Sequence, residues 1–133
     1  MVKKPDLEIK QLIEKWEEIY KRGLLSFWLL LLLHERPYYP YEIGDALREV
    51  SQGSITADTN SIYRALSRFE ELEIVSSEIR ASDTGPARRY YHLTPKGRKL
   101  LSEFIRRNIL IFGTSPVKNR IAAIVHGDSG KET

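Results

Sequence analysis

Asn60, Ser61, Arg64 and Arg68 recur at helical spacing and are residue types that can read DNA. Asparagine can hold adenine through two hydrogen bonds, and arginine can hold guanine likewise. Each such pair is worth about 1–3 kcal/mol of discrimination. Tyr63 lies among them, with a hydroxyl able to reach a phosphate and a ring able to join a core. Further along, Arg88 and Arg89 adjoin, and Lys96 follows at what reads as a helix start. Phosphate contact is the default use of such cations, because half or more of protein–DNA hydrogen bonds go to phosphate and sugar. Each residue also has a plainer reading. Arg68 can pair with Glu71 or Glu42, Arg88 and Arg89 can belong to a mobile basic loop, and Lys96 can simply face solvent.

The charge distribution sharpens this. The 133 residues carry 21 Lys+Arg and 18 Asp+Glu, a net of +3 that means little as a sum. Residues 1–50 hold 8 bases and 9 acids, whereas residues 80–99 hold six bases (Arg80, Arg88, Arg89, Lys96, Arg98, Lys99) against Asp83 alone. A local excess of this kind is the footprint expected of a phosphate-binding surface.

Catalysis finds no support in the chain. His34, His92 and His126 are isolated, and cysteine is absent, so no metal-ligand spacing and no thiol chemistry are available. Asp45 and Glu49 stand four apart, which is ordinary surface chemistry for a helix. There is no glycine-rich phosphate loop or nucleophile motif. Neither enzyme activity nor a cofactor is expected. The apolar run Leu24 to Leu33 is too short for a bilayer, which needs about 20 residues. It also lacks the small-residue cleavage site of a secretory signal. A cytoplasmic protein without membrane contact is expected.

These residues need elements to hold them. The length suits one domain at roughly 100–200 residues per domain. Residues 6–22 read as an amphipathic helix with Ile9, Leu12, Ile13, Trp16, Ile19 and Tyr20 on one face, started by Pro5 and Asp6 and ended by Gly23. Residues 24–35 read as a second, almost wholly apolar helix, a central one. A turn at 36–40 leads to a helix from Tyr41 to Val50, then a loop at 51–54. Asp58 can cap a helix over 58–73 by accepting from the backbone of Asn60 or Ser61, with Ile62, Leu66 and Phe69 buried. Residues 74–80 and 87–93 read as strands around a turn at 81–86. Thr94 and Pro95 start a last long helix over 95–112, with a stripe of Leu101, Phe104, Ile105, Ile111 and Phe112. Ser115-Pro116 starts a short extra helix in the 113–133 tail, and disorder is expected from Gly127.

Helices followed by a hairpin and another helix make a mainly α fold with a small β-hairpin, a winged helix-turn-helix. Its recognition helix, 58–73, would enter the major groove, a slot about 12 Å wide. The wing, 74–93, would grip the adjacent backbone.

The chain also resembles the PadR-like transcriptional regulators over about residues 24–112. The resemblance rests on Leu29 to Leu33, on Pro37, Tyr39, Tyr41, Glu42 and Ile43, and on Ser61-Ile62-Tyr63, Leu66, Arg68 and Glu70. Its most specific stretch is Gly85 with Arg88 through Arg98, which includes His92-Leu93-Thr94-Pro95-Lys96-Gly97. Three positions depart from the family pattern. Pro40 replaces a usual glycine, Arg64 a usual proline, and Glu73 the glycine that enters the wing. The first and third suggest local backbone adjustment. The second adds a charged, groove-facing side chain, so operator preference cannot be borrowed from relatives.

The resemblance implies a homodimer, and the apolar stripes agree. Residues 6–22 and 95–112 would form the dimerisation helices that flank a winged domain spanning 1–112. It also implies a place for a small hydrophobic or phenolic effector at the interface, which Trp16 or Trp28 could line. By spacing, however, Trp28 reads as core. The function expected is a dimeric, sequence-specific DNA-binding regulator, a repressor. The alternatives are a winged-helix protein–protein interaction module and a low-specificity chromosomal architectural protein.

Overall fold

The computed structural model describes residues 4–131. Its elements run α1 (Lys4–Glu35), α2 (Pro40–Val50), α3 (Thr59–Glu71), β1 (Val75–Ser82), β2 (Gly85–Leu93), α4 (Pro95–Asn108), a 3-10 turn (Leu110–Gly113) and α5 (Ser115–Lys131). This is the expected mainly α winged helix with a two-stranded antiparallel hairpin.

One long helix replaces the two expected before residue 36. Gly23 does not break it. Glycine inside a helix costs roughly 0.5–1 kcal/mol against alanine, too little to stop a helix flanked by good formers. Lys21–Glu17 at 3.2 Å and Arg22–Glu18 at 3.0 Å reinforce the turns around it. The consequence is mechanical. The buried Leu29, Leu30, Leu32 and Leu33 and the exposed stripe Ile9 to Tyr20 belong to one rod of 32 residues, about 48 Å long at 1.5 Å per residue.

The core gathers Leu29, Leu32 and Leu33 of α1, Ile43 and Leu47 of α2, Ile62, Leu66 and Phe69 of α3, and Val75, Tyr91 and Leu93 of the hairpin. α2 starts one residue early because Pro40 occupies its first position and is buried, where proline's fixed φ suits the helix and no N–H is lost. The turn between α2 and α3 is organised by Ser51. Its buried hydroxyl lies 2.7 Å from the Leu47 carbonyl and accepts from Ile55 N–H at 3.0 Å.

At the end of α3 the expected backbone adjustment does not occur. Glu73 itself takes the left-handed conformation, φ +62°. Glu73 N–H donates to the Glu70 carbonyl at 3.0 Å and Ile74 N–H to the Phe69 carbonyl at 2.8 Å. This is the Schellman pair that normally uses glycine. A side chain in that region costs about 1–2 kcal/mol, and glycine's extra unfolded-state entropy returns part of it. Glu73→Gly is therefore expected to raise unfolding free energy by about 0.5–1 kcal/mol. Urea denaturation checks this, and a loss of stability would refute the strain.

The hairpin pairs Val75 with Leu93 through Arg80 with Arg88, with an irregularity before Ser82 and Gly85. Its strands run closer to the tip than expected, leaving a two-residue connection. A third segment joins them. Tyr38 and Tyr91 exchange backbone hydrogen bonds of 3.0 and 2.8 Å, so the expected 36–40 turn is also a one-residue strand.

The C-terminal region departs most from expectation. α4 ends at Asn108, not 112, where Ile109, Ile111 and Phe112 disfavour helix. Leu101, expected at a dimer interface, is buried in the core of its own chain. Ile105 packs against the same core, and the Phe104 ring lies 5.9 Å from that of Phe27. The reason is that α4 packs against α1, which buries Leu101 within the monomer and leaves Phe104 and Ile105 half-buried. Ile111 and Phe112 remain exposed, in the 3-10 turn. The tail is not a short helix followed by disorder: α5 continues through Gly127 to Lys131. Glu132 and Thr133 lie outside the described residues.

Candidate nucleic-acid interface

α3 is built to expose one face. Ile62, Leu66 and Phe69 fix the other in the core, which leaves Asn60, Arg64, Ser67 and Arg68 outward. Asp58 caps the helix as expected, accepting from Ser61 N–H at 2.7 Å. That bond, helped by the Arg64 charge, holds the Asp58 carboxyl below its usual range. The cap therefore persists at neutral pH and is lost only as pH falls through that lowered value. Ser61 is partly spent on structure, since its hydroxyl accepts from Arg64 Nη2 at 3.3 Å.

Arg68 does not make the ion pair its alternative reading required. Glu42 is taken by Arg36 at 3.0 Å and by Tyr39 N–H at 3.2 Å. No side-chain hydrogen bond or ion pair ties the Arg68 guanidinium to any described residue, and it stays exposed. Tyr63 divides its surface, 42% exposed, and forms part of a cleft described below.

On β2, alternation sends Arg88 and Arg89 to opposite faces. Arg88 shares its face with Arg80 and Tyr90, and its guanidinium lies 4.4 Å from the centre of the Tyr39 ring. Arg89 faces α3 and donates to Ser77 Oγ at 3.0 Å, whose hydroxyl in turn donates to Glu70 Oε2 at 2.5 Å. Between the wing and the starts of α2 and α3 lies an open cleft of about 560 Å³. Tyr39, Tyr41, Tyr63 and Tyr91 line it together with both arginines. Burial pushes the Tyr91 phenol up, so it stays neutral.

The six bases of residues 80–99 do not form one patch. Arg80 is neutralised by Glu78 at 2.6 Å, an acid just outside that stretch. Lys96 Nζ donates to the Leu72 carbonyl at 2.8 Å and closes the far end of α3. It lies about 18 Å of helix rise from Asn60, so the structure does not bring it to the other candidates. Arg98 borders a separate cleft between α1 and α4. The structure brings Tyr63, Arg88 and Arg89 to one cleft and leaves Asn60, Arg64 and Arg68 exposed on α3. It adds Tyr39, Tyr41, Ser77 and Glu70, which periodicity could not single out because their roles depend on pairing between distant segments.

Residues 29–103, more than half of the chain, match the family model described as the transcriptional regulator PadR-like family. The chain belongs to that family. Among solved structures, this PadR-like chain is similar to a PadR-like transcription factor from Bacteroides fragilis, at 31% identity and TM-score 0.58, covering 71% of this chain and 87% of that one. It is similar to a PadR-like transcriptional regulator from Bacillus cereus, at 29% identity and TM-score 0.63, covering 75% and 93%. It also shares its fold with Bacillus subtilis PadR, solved in complex with operator DNA, at 21% identity and TM-score 0.57, covering 62% and 46%. Against the PadR-like pattern, the three departures now have structural meanings. Pro40 starts α2, Glu73 bears left-handed strain, and Arg64 adds an exposed cation to α3.

Proposed function

We propose that this chain is a sequence-specific DNA-binding transcriptional regulator that occupies operator DNA as a homodimer and acts as a repressor. The observation that carries the reading is the exposed face of α3, where Asn60, Arg64 and Arg68 point outward beside a wing bearing Arg88 and Arg89. α3 reads base edges in the major groove, and the wing holds backbone. Repression follows from occupancy, because a protein seated in the groove excludes others from the same duplex. The operator-bound state of Bacillus subtilis PadR supports this use of the shared fold.

The dimer reading is supported by apolar surface left over after folding. Ile9, Leu12, Ile13, Trp16, Ile19 and Tyr20 are all about half exposed or more on α1, as are Ile111 and Phe112. Contiguous apolar surface of this kind marks an interaction site. A twofold dimer would present two α3 helices to half-sites about 34 Å apart or a multiple of it. Light scattering at micromolar concentration is expected to give twice the chain mass. Trp16→Asp is expected to give the chain mass with α-helical content retained. A wild-type monomer would overturn the dimer.

We assign no effector. Trp28 is edge-on to Phe27 at 5.5 Å and packs on the core, while Trp16 belongs to the exposed stripe. No described helix is long and apolar enough to cross a membrane, and the proposed work is on cytoplasmic DNA. The test of DNA binding is its salt dependence. Each neutralised phosphate contributes a slope of about −0.9 in log affinity against log salt, so a steep fall is expected. A flat profile would exclude DNA as the partner.

A further inference from the structure

We infer that Tyr39 is a positioning residue for the wing. Its ring, fixed at the base of the hairpin, carries Arg88 and abuts Tyr90, and so sets where the wing's arginines meet a duplex. The inference rests on the DNA-binding reading above.

Tyr39 is immobilised from both sides along the chain. Tyr38 is hydrogen-bonded in both directions to Tyr91 of β2, and Pro40 is buried as the first residue of α2. Between them, Tyr39 N–H donates to Glu42 Oε1 at 3.2 Å. That carboxylate also accepts from Arg36, whose guanidinium lies 3.7 Å from the centre of the Tyr38 ring. The backbone of Tyr39 therefore belongs at once to the hairpin and to the helix-turn-helix.

Its side chain extends this link up the wing. The rings of Tyr39 and Tyr90 meet edge-on at 5.4 Å and 73°. Arg88 lies over Tyr39 at 4.4 Å, and Arg80 lies over Tyr90 at 4.8 Å. Glu78 holds Arg80 through 2.6 and 2.8 Å hydrogen bonds. Cross-strand pairing of Arg80 with Arg88 and Glu78 with Tyr90 puts all four on one face. The result is a ladder running Glu78, Arg80, Tyr90, Tyr39, Arg88. A two-stranded hairpin is marginal alone, so its direction depends on such lateral contacts. Arg88 is the rung with no ion pair to a described residue, a cation held in place by a ring.

The test compares Tyr39→Leu, which removes the ring, with Tyr39→Phe, which keeps it. Salt titration on duplex DNA and amide hydrogen exchange of the free protein are the two readouts. Tyr39→Leu is expected to bind about 5- to 30-fold more weakly, the loss of one cation–π and one aromatic contact. Its salt slope should be shallower by about 0.9, one phosphate, although no charge has been removed. Amides near Arg80 and Arg88 should exchange faster while those of α3 do not. Tyr39→Phe should match wild type throughout, and adding Arg88→Ala to Tyr39→Leu should change little. Unchanged slope and unchanged hairpin exchange in Tyr39→Leu would overturn the assignment. So would tighter binding, which would mean that Tyr39 restrains Arg88 from DNA. If the wild type shows no salt-dependent binding, the DNA reading fails instead, and hairpin exchange still decides whether Tyr39 anchors the wing.

Discussion

Gly97→Ala is expected to destabilise the winged domain by on the order of 3 kcal/mol, the upper part of the range for overpacking a filled site. Gly97 is buried in the first turn of α4. A Cβ there would overlap the Ile74 carbonyl oxygen and stand 2.7 Å from Leu93 Cδ1. The leucine tip could move, but the carbonyl cannot. Ile74 O accepts from Thr94 N–H at 3.1 Å and lies 2.9 Å from the Thr94 hydroxyl. That hydroxyl also accepts from Gly97 N–H at 3.0 Å, capping α4. Making room would break the junction between wing and helix. A loss of this size is a large part of the 5–15 kcal/mol that typically holds a domain together. Equilibrium unfolding in urea measures it, and a change below about 0.5 kcal/mol, the usual size for a neutral surface site, would contradict the packing described.

The second large effect separates reading from gripping. Arg64→Ala is expected to cost about 1–3 kcal/mol at its preferred base pair and to relax preference there, with little change on other sequences. Arg88→Ala combined with Arg89→Ala is expected to weaken binding on every duplex. It should also make the salt slope shallower by about 1.8, two phosphates at about 0.9 each. Binding measured on one preferred site and one scrambled site at several salt concentrations distinguishes the two patterns. If both variants bind as wild type does, the assignment of α3 and the wing is wrong.

The elements of the winged domain were legible in the sequence because their signals are local. Asp58 and Thr94 cap their helices through the hydrogen bonds that their types and positions predict. Alternation placed both strands, and the apolar stripe of 62, 66 and 69 gave the buried face of α3. What was not legible depended on competition or on distance. Gly23 reads as a stop because glycine is a weak helix former, but its cost is small against good formers on both sides, so the rod continues. Leu101, Phe104 and Ile105 look like an interface when counted along one helix, and only the packing of α4 on α1 shows that Leu101 is core and that Phe104 touches Phe27. The same holds for charge. The +5 of residues 80–99 is dispersed once Glu78 is seen on Arg80, Lys96 at the Leu72 carbonyl and Arg98 beside the cleft between α1 and α4. Arg88 and Arg89 are the two of its six bases that line the cleft between the wing and the starts of α2 and α3. Tyr39 stands among the residues of the PadR-like resemblance, but its contacts with the wing were not legible along the chain, because they arise where residue 38 pairs with residue 91.

Selection of bound fragments from a random duplex pool tests the central claim most directly. The account predicts enrichment of one motif with two inverted half-sites whose centres are about 10 base pairs, or a multiple of that, apart. Arg64→Ala should blur one position in each half. A pool recovered without enrichment, or coated at all sequences alike, would contradict it.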